Sequence, residues 1–362
     1  MSLFPKIDKY IFKKFMSTFF VALVLVIGIV IIFDISEKID DFVEKKAPLG
    51  AIVLDYYMNF IPYFINMYSP MFVFITVIVF TSKMAANSEI VAILSGGISF
   101  HRMMVPYMVA ATLITALSLV LNLFVIPDSN KDKFVFEQQY LKQKPKQSAR
   151  NVHYQIAPGT FVYAESFSSW NNTAYKFTLE RIENSKLVSK ITAETAVYDT
   201  LKDSWRLRKY FIREINDDLT DDIRSGRQLD TVIPLSVKDF YFSDNTVTTL
   251  TYSELNEMID IQSMRGDANV KFALIEKHTR FALPFSAFIL TIMGVALSSK
   301  KRRGGIGWNI ALGIALAFTY ILFMRFSQMF VHTDALSPAV ALWLPNVVFA
   351  VIACVLYRKA PK

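Results

Sequence analysis

Apolar residues gather in separate runs along this chain, near 15–33, 61–81, 104–126, 279–299, 306–330 and 338–357, each bounded by charged or turn-forming residues. A hydrocarbon core about 30 Å thick takes roughly 20 mostly apolar helical residues to cross. The six runs therefore predict six transmembrane helices. Between the third and fourth, over about 128–265, charged residues and Asn, Ser and Thr return, and no run there is long enough to span. The pattern divides the chain into 1–127 with three spans, an insert over 128–265, and 266–362 with three more.

Inside the insert the period changes. Short runs such as "VHYQIA", "TFVYAESF", "AYKFTLERI", "KLVSKITAE", "TAVYD" and "SWRLRKYFIREI" alternate apolar with polar residues, and "APG", "SSWNN", "ENS" and "NDDLTDD" supply turns between them. That pattern predicts an antiparallel β sandwich or open jelly roll rather than an α/β enzyme. "YSELNEMIDIQSMRG" then reads as a short helix leading back to the membrane, with Ser253 as its N-cap and Gly266 beyond its end.

Charge orients the spans. Lys6, Lys9, Lys13 and Lys14 precede the first run, Lys83 and Arg102 flank the loop between the second and third, Lys300, Lys301, Arg302 and Arg303 separate the fourth and fifth, and Arg358, Lys359 and Lys362 follow the last. All fall on one side, which the positive-inside rule makes cytoplasmic, with both termini there and the insert on the other side. The first run is long for a signal-peptide core and ends in "FDISEKIDD" with no small-x-small pattern, so it reads as a retained span.

Composition agrees: 53% of the 362 residues are hydrophobic, 31 of them Phe, which is too apolar for an ordinary soluble enzyme. The net charge of +8 is largely topogenic and calls for no nucleic acid. Cys354 is the single cysteine and lies in the last run, so there is neither a disulfide framework nor a Cys-based metal site. No GxxxxGK[ST] loop, HExxH pair or GxSxG elbow is present. The glycines of "KKRRGGIGWN" read as part of a boundary turn. His153, alone among the insert's residues as a histidine, reads as a partly buried structural residue, and "NDDLTDD" as a solvated turn rather than a calcium loop. "NNT" at 171–173 matches a glycosylation sequon only formally. The chain thus reads as no enzyme, with no cofactor and no metal, and any energy for movement comes from a partner.

One stretch departs from both patterns. "KMAANSEIVAILSGGISFHRMMVP", 83–106, sits between the second and third runs, and its residues 84–98 predict a helix of roughly 20 Å, too short to cross. Asn87 or Ser88 can cap it, Glu89 suits the positive end of the helix dipole, and Gly96 and Gly97 end it. Ile90, Ile93, Leu94 and Gly97 share a face that would lie on the membrane surface or on another protein. The pattern leaves two readings open: an ordinary surface helix, or a coupling helix seated in a nucleotide-hydrolysing subunit, with Glu89 meeting a basic residue there.

"NSEIVAILSGGIS" resembles the coupling segment of the LptF/LptG family of lipopolysaccharide-export permeases. "IDKYIFKKFMSTF" at 7–19, "FVYAESF" at 161–167, "TRFALPFSAFILTIMGVALS" at 279–298 and "LSPAVALWLPNVVFAVIACVLYRK" at 336–359 are similar to successive pieces of the same family, in order. The short "DKYIFKKF" start is slightly more LptG-like. The resemblance implies a polytopic α-helical protein of the bacterial inner membrane with an inserted periplasmic β jelly roll. It also implies a cytoplasmic ABC ATPase dimer, a second LptF/LptG-type permease and a single-span periplasmic bridge protein as partners. Lipopolysaccharide or lipooligosaccharide would enter between the first span of one permease and the fifth of the other. Ser88, Glu89, Ile90, Gly96 and Gly97 would make the ATPase contact.

Family members can carry basic residues near the outer end of the first span, toward lipid A phosphates. Here Lys38 stands amid Asp34, Glu37, Asp40 and Asp41. That departure fits a less phosphorylated lipid, a divalent ion between acid and phosphate, or charge supplied by the other permease. Arg325, inside the fifth run, either snorkels to the interface or faces substrate, and Asp34 is a candidate partner for it. A second class of function is a membrane-anchored periplasmic scaffold or sensor without transport, which would need no capped acidic helix between spans and would bring down no ATPase. A membrane-embedded lipid-modifying enzyme lacks its catalytic constellation.

Overall fold

The structure, a computed structural model, describes residues 6–141, 149–168, 171–200, 202–216, 220–235, 244–267, 269–300 and 305–360. The expected Lys301, Arg302, Arg303 and Lys362 lie outside the described residues, as does part of "NDDLTDD". Two compact units emerge: Met1–Lys142 with Thr248–Tyr252 and Leu274–Lys362, and Gln143–Val247 with Ser253–Ala273.

The first unit holds six helices long and apolar enough to cross a membrane. They are α1 (Lys6–Glu44), α2 (Leu49–Ala86), α4 (Phe100–Tyr140), α7 (Val270–Ser298), α8 (Gly305–His332) and α9 (Pro338–Arg358), with α3 (Glu89–Ser95) between α2 and α4. Most of the helices outrun their apolar stretches. The 39 residues of α1 make a rod of about 58 Å, well beyond a hydrocarbon core of about 30 Å. α2 and α7 are the most buried, and α1 and α8 the least. Both of those peripheral helices pack on α2. α1 contributes Ile11, Phe15, Phe19 and Leu23 to a cluster with Val73, Val77 and Phe80, while α8 contributes Ala317, Tyr320 and Met324 to one with Phe74 and Ile78. Close approach to α2 needs small residues: a Cβ on Gly294 of α7 would stand 2.9 Å from Val77, and one on Gly313 of α8 would collide with Ile78.

Prolines explain several buried polar side chains. A helical proline leaves the carbonyl four residues earlier without its N–H donor, and in lipid that carbonyl must find another. Pro284 frees the carbonyl of Arg280, which accepts from Asn122 Nδ2 at 3.1 Å. Pro345 frees that of Ala341, which accepts from Ser327 Oγ. Asn122 in turn accepts from Asn66 Nδ2 at 2.6 Å, and Ser118 donates to Asn66.

The second unit is an antiparallel sheet of six described strands: β1 (Ala149–Ala157), β2 (Thr160–Ser168), β3 (Thr173–Glu183), β4 (Lys186–Asp199), β5 (Ser204–Ile215) and β6 (Asp221–Thr231). They pair in chain order, as a meander. The turns behave as the sequence predicts: Gly159 turns β1 into β2 at φ +72°, and Asn184 and Ser185, both at positive φ, join β3 to β4. One face buries Val162, Ala164, Phe177, Ala196, Trp205 and Leu207, and the Trp205 indole N–H donates to the Leu235 carbonyl at 2.8 Å. The other carries cross-strand ion pairs, among them Lys190–Glu180 at 2.8 Å and Arg206–Asp230 at 3.0 Å.

Four expectations change here. "KLVSKITAE" and "TAVYD" form one continuous strand, because Thr195 keeps its pairing with Arg208 without a turn. β6 has no forerunner in the apolar pattern, since most of its residues are exposed and its pairing is carried by backbone bonds to β5. His153 is exposed rather than partly buried, and stacks on Phe161 at 6.0 Å. The remaining helices are α5 (Asp244–Thr248) and α6 (Tyr252–Arg265). Ser253 lies inside the first turn of α6 rather than at its cap, whereas Gly266, at φ +64°, ends the helix as expected.

Candidate functional site: a helix between spans and two polar clusters

Four chain segments meet at one end of the transmembrane unit: the start of α1, α3, the start of α4 and the end of α9. Tyr10 of α1 reaches Glu89 of α3, Asp8 reaches Arg102 of α4, and His101 lies 3.2 Å from the Tyr357 hydroxyl. Lys83 and Arg358 fall in the last turns of α2 and α9.

The helix expected over 84–98 is shorter than its pattern. α2 continues through Ala86, and Asn87 and Ser88 then form a tight connection into α3. Ser88 holds φ +62°, a left-handed conformation rare for a residue with a Cβ, and its side chain makes no capping bond. Its backbone carbonyl does accept the first helical bond, from Ala92 at 3.0 Å. The Asn87 side chain instead donates to Glu89 Oε1 at 3.1 Å. The expected side-chain cap is therefore replaced by backbone geometry plus a tie on Glu89.

The helix end matches expectation closely. Gly97 sits at φ +84°, its N–H donates to the Leu94 carbonyl at 3.0 Å, and the Ile98 N–H donates to Ile93 at 3.3 Å. This pair of bonds is the Schellman ending. A Cβ on Gly97 would meet no atom within 4 Å, so only the backbone demands glycine. Gly97→Ala is expected to cost about 1–2 kcal/mol locally. Exchange of the Ile98 amide should quicken roughly tenfold, following RT ln 10 of about 1.4 kcal/mol. A change no larger than that from Ser95→Ala would contradict this account.

The apolar face points inward. Ile90 is 1% exposed, and Ile93 and Leu94 pack against the same cluster as Ile11, Phe15 and Met103. This corrects the expectation that Ile90, Ile93 and Leu94 meet the membrane or another protein: the segment seats on its own bundle because a seven-residue helix cannot hold itself without burying one face. What remains accessible is the opposite face, Ser88, Val91, Ala92, Ser95 and Gly96, with Val91 60% exposed. Glu89 lies at the edge, its carboxylate also accepting from the Tyr10 hydroxyl at 3.0 Å.

A second cluster lies about 39 Å further along α1. Lys38 pairs with Asp34 at 2.5 Å, one helical turn away, and donates to the Tyr56 hydroxyl. Tyr57 donates to the other Asp34 oxygen at 3.0 Å. Phe42, Tyr56, Tyr57 and Phe136 enclose the group, with the Lys38 ammonium 4.8 Å from the Tyr56 ring centre. Sequence reasoning missed Tyr56 and Tyr57, which look like ordinary interfacial aromatics until α2 is packed beside α1.

Arg325 is not Asp34's partner in this structure, contrary to the expected pairing. Asp34 is occupied by Lys38 and the two tyrosines, while Arg325, exposed on α8, approaches the Met67 thioether at 3.9 Å. No ion pair to Arg325 occurs among the described residues. Nor is there a group of three His, Cys, Asp or Glu residues positioned to hold a metal among them.

No curated protein matches the chain. A family match does, covering residues 9–359, to the family described as "Lipopolysaccharide export system permease LptF/LptG". It runs from the first turn of α1 to the end of α9, taking in all six spans and the inserted sheet in the order described. The chain belongs to the LptF/LptG family of lipopolysaccharide export permeases, multi-pass proteins of the inner membrane.

Proposed function

We propose that this permease couples ATP hydrolysis in a separate cytoplasmic ABC ATPase dimer to lateral extraction of lipopolysaccharide or lipooligosaccharide, acting with a second LptF/LptG-type permease. The observation that carries the coupling is α3: a separate helix with one face seated on the bundle and the other free at the end where the basic residues gather. Ser88 and Glu89 present the contact, Ile90 anchors it, and Gly96 and Gly97 close it. The end carrying α3 and both chain termini is cytoplasmic, in keeping with the positive-inside rule, and the β unit is periplasmic.

The lipid passes along α1 and α8. These are the least buried spans, and an apolar surface with residues such as Phe20, Val24, Ile32, Phe318 and Phe326 exposed suits acyl chains or the second permease. Arg325 is the available cation for a phosphate, whereas Lys38 must first part from Asp34. The β unit then hands the acyl chains to a single-span bridge protein and onward.

Native mass spectrometry of the complex purified from membranes tests this reading. Expected are two ATPase copies, a second six-span chain and a lipid A-containing species. Recovery of this chain with envelope proteins but no ATPase would sink it.

A further inference from the structure

Resting on the reading of α3 as the ATPase contact, we propose that Asp8 and Tyr10 are positioning residues. They make the first turns of α1 move as one body with α3 and the start of α4. Displacement at the contact is thereby delivered to the far end of α1.

Two polar ties leave one turn of one helix, from positions two apart, for two successive elements. The Asp8 carboxylate accepts from Arg102 Nη1 at 3.0 Å and Nη2 at 2.5 Å, a bidentate, charge-assisted pair. Asp8 is 5% exposed although the Arg102 side chain is 42% exposed, so this is not a loose surface pair. A buried carboxylate stripped of its cation is strongly unfavourable, which opposes separation of α1 from α4. Arg102 is itself fixed in the first turn of α4, where its backbone N–H donates to Ser99 Oγ at 3.3 Å. The second tie is Tyr10 to Glu89 Oε2, on the same carboxylate that the partner's cation would approach.

Next to the ties, Ile11 and Phe15 are fully buried in one cluster with Ile90, Phe100, Met103 and Met104. Along its apolar middle α1 is the least enclosed span, so few neighbours there oppose a movement begun at this end. It is also an uninterrupted means of carrying a movement. α2, α4, α7 and α9 each contain an internal proline, whereas α1, like α8, has none and runs unbroken from Lys6 to Glu44. The rod that begins at Asp8 ends at the Asp34, Lys38 and Tyr56 cluster.

The test uses the complex purified with its ATPase and reconstituted in vesicles, reading ATP hydrolysed per lipid released. Asp8→Asn and Tyr10→Phe are expected to raise that ratio at least about fivefold, the lower end of usual coupling between sites, with the amount of bound ATPase unchanged. Exchanging the charges, Asp8→Arg with Arg102→Asp, is expected to bring the ratio most of the way back. An unchanged ratio in both single variants overturns the proposal, as does an exchange that restores thermal stability without restoring the ratio. ATPase remaining bound to a Glu89→Lys complex instead fails the underlying reading of α3, whatever the Asp8→Asn ratio.

Discussion

Glu89→Lys is expected to strip the ATPase from the purified complex while the chain still inserts and folds. Folding tolerates the change because the two hydrogen bonds lost, from Tyr10 and Asn87, lie at an exposed edge, and each contributes about 1 kcal/mol. Ile90, Ile93 and Leu94, which seat α3 on the bundle, are untouched. Docking does not tolerate it, since a partner cation that met a carboxylate now meets an ammonium. Truncating one member of such an interfacial charge pair costs about 2–5 kcal/mol, so ATPase recovery should fall at least about thirtyfold. The measurement is the ATPase retained per permease in a pull-down, beside the permease's own yield in membranes. Equal retention with wild type would remove Glu89 from the contact.

Trp205→Ala is expected to unfold the β unit and leave the spans standing. Trp205 is fully buried, stacks with Phe177 at a centroid distance of 6.1 Å, and gives its N–H to Leu235. Cutting a buried Trp to Ala costs about 3–5 kcal/mol, and the abandoned carbonyl adds to it. A single small β unit has little stability beyond that. Apart from Val270–Ala273 at the start of α7, the transmembrane helices belong to the other compact unit, so protease should cut between 149 and 235 while the six-span remainder stays in the membrane. Ile223→Ala, at a side chain 59% exposed on β6, serves as the control and should change little. Equal protease resistance of the two variants would show that Trp205 does not hold the sheet.

The legible parts of the fold were those with a strong period. Each of the six apolar runs falls on a spanning helix of the structure, the fourth overshooting its helix by one residue, because hydrocarbon leaves a continuous apolar helix as the simplest way to satisfy its backbone. β5 coincides with its alternating run, Ser204–Ile215, and turns at Gly159 and Asn184–Ser185 fall where turn chemistry put them. β6 was illegible because an exposed strand on a sheet needs no apolar side chains, only a neighbour's backbone. The coupling segment was half legible. Its ending was written in Gly97, but its length was misread, since residues 84–86 and 89–95 have compatible helical character and only the left-handed Ser88 parts them.

By itself the chain's pattern determined the number of spans, the place of the β insert, the charged face of the bundle and the short acidic helix between the second and third spans. Those are local properties, set by period, turn residues and charge over stretches shorter than a helix. Which face of that helix is free depended on tertiary structure, as did the company of each charge. Lys38 was expected among acids and is held by one of them and by Tyr56 of another helix. Asp34 was expected beside Arg325 and is instead taken by Lys38 and two tyrosines. Glu89 looked solitary and touches Tyr10, distant by 79 positions in the chain. A side chain's partner is whatever packing brings within about 3 Å, and one sequence read along its length carries no record of that distance.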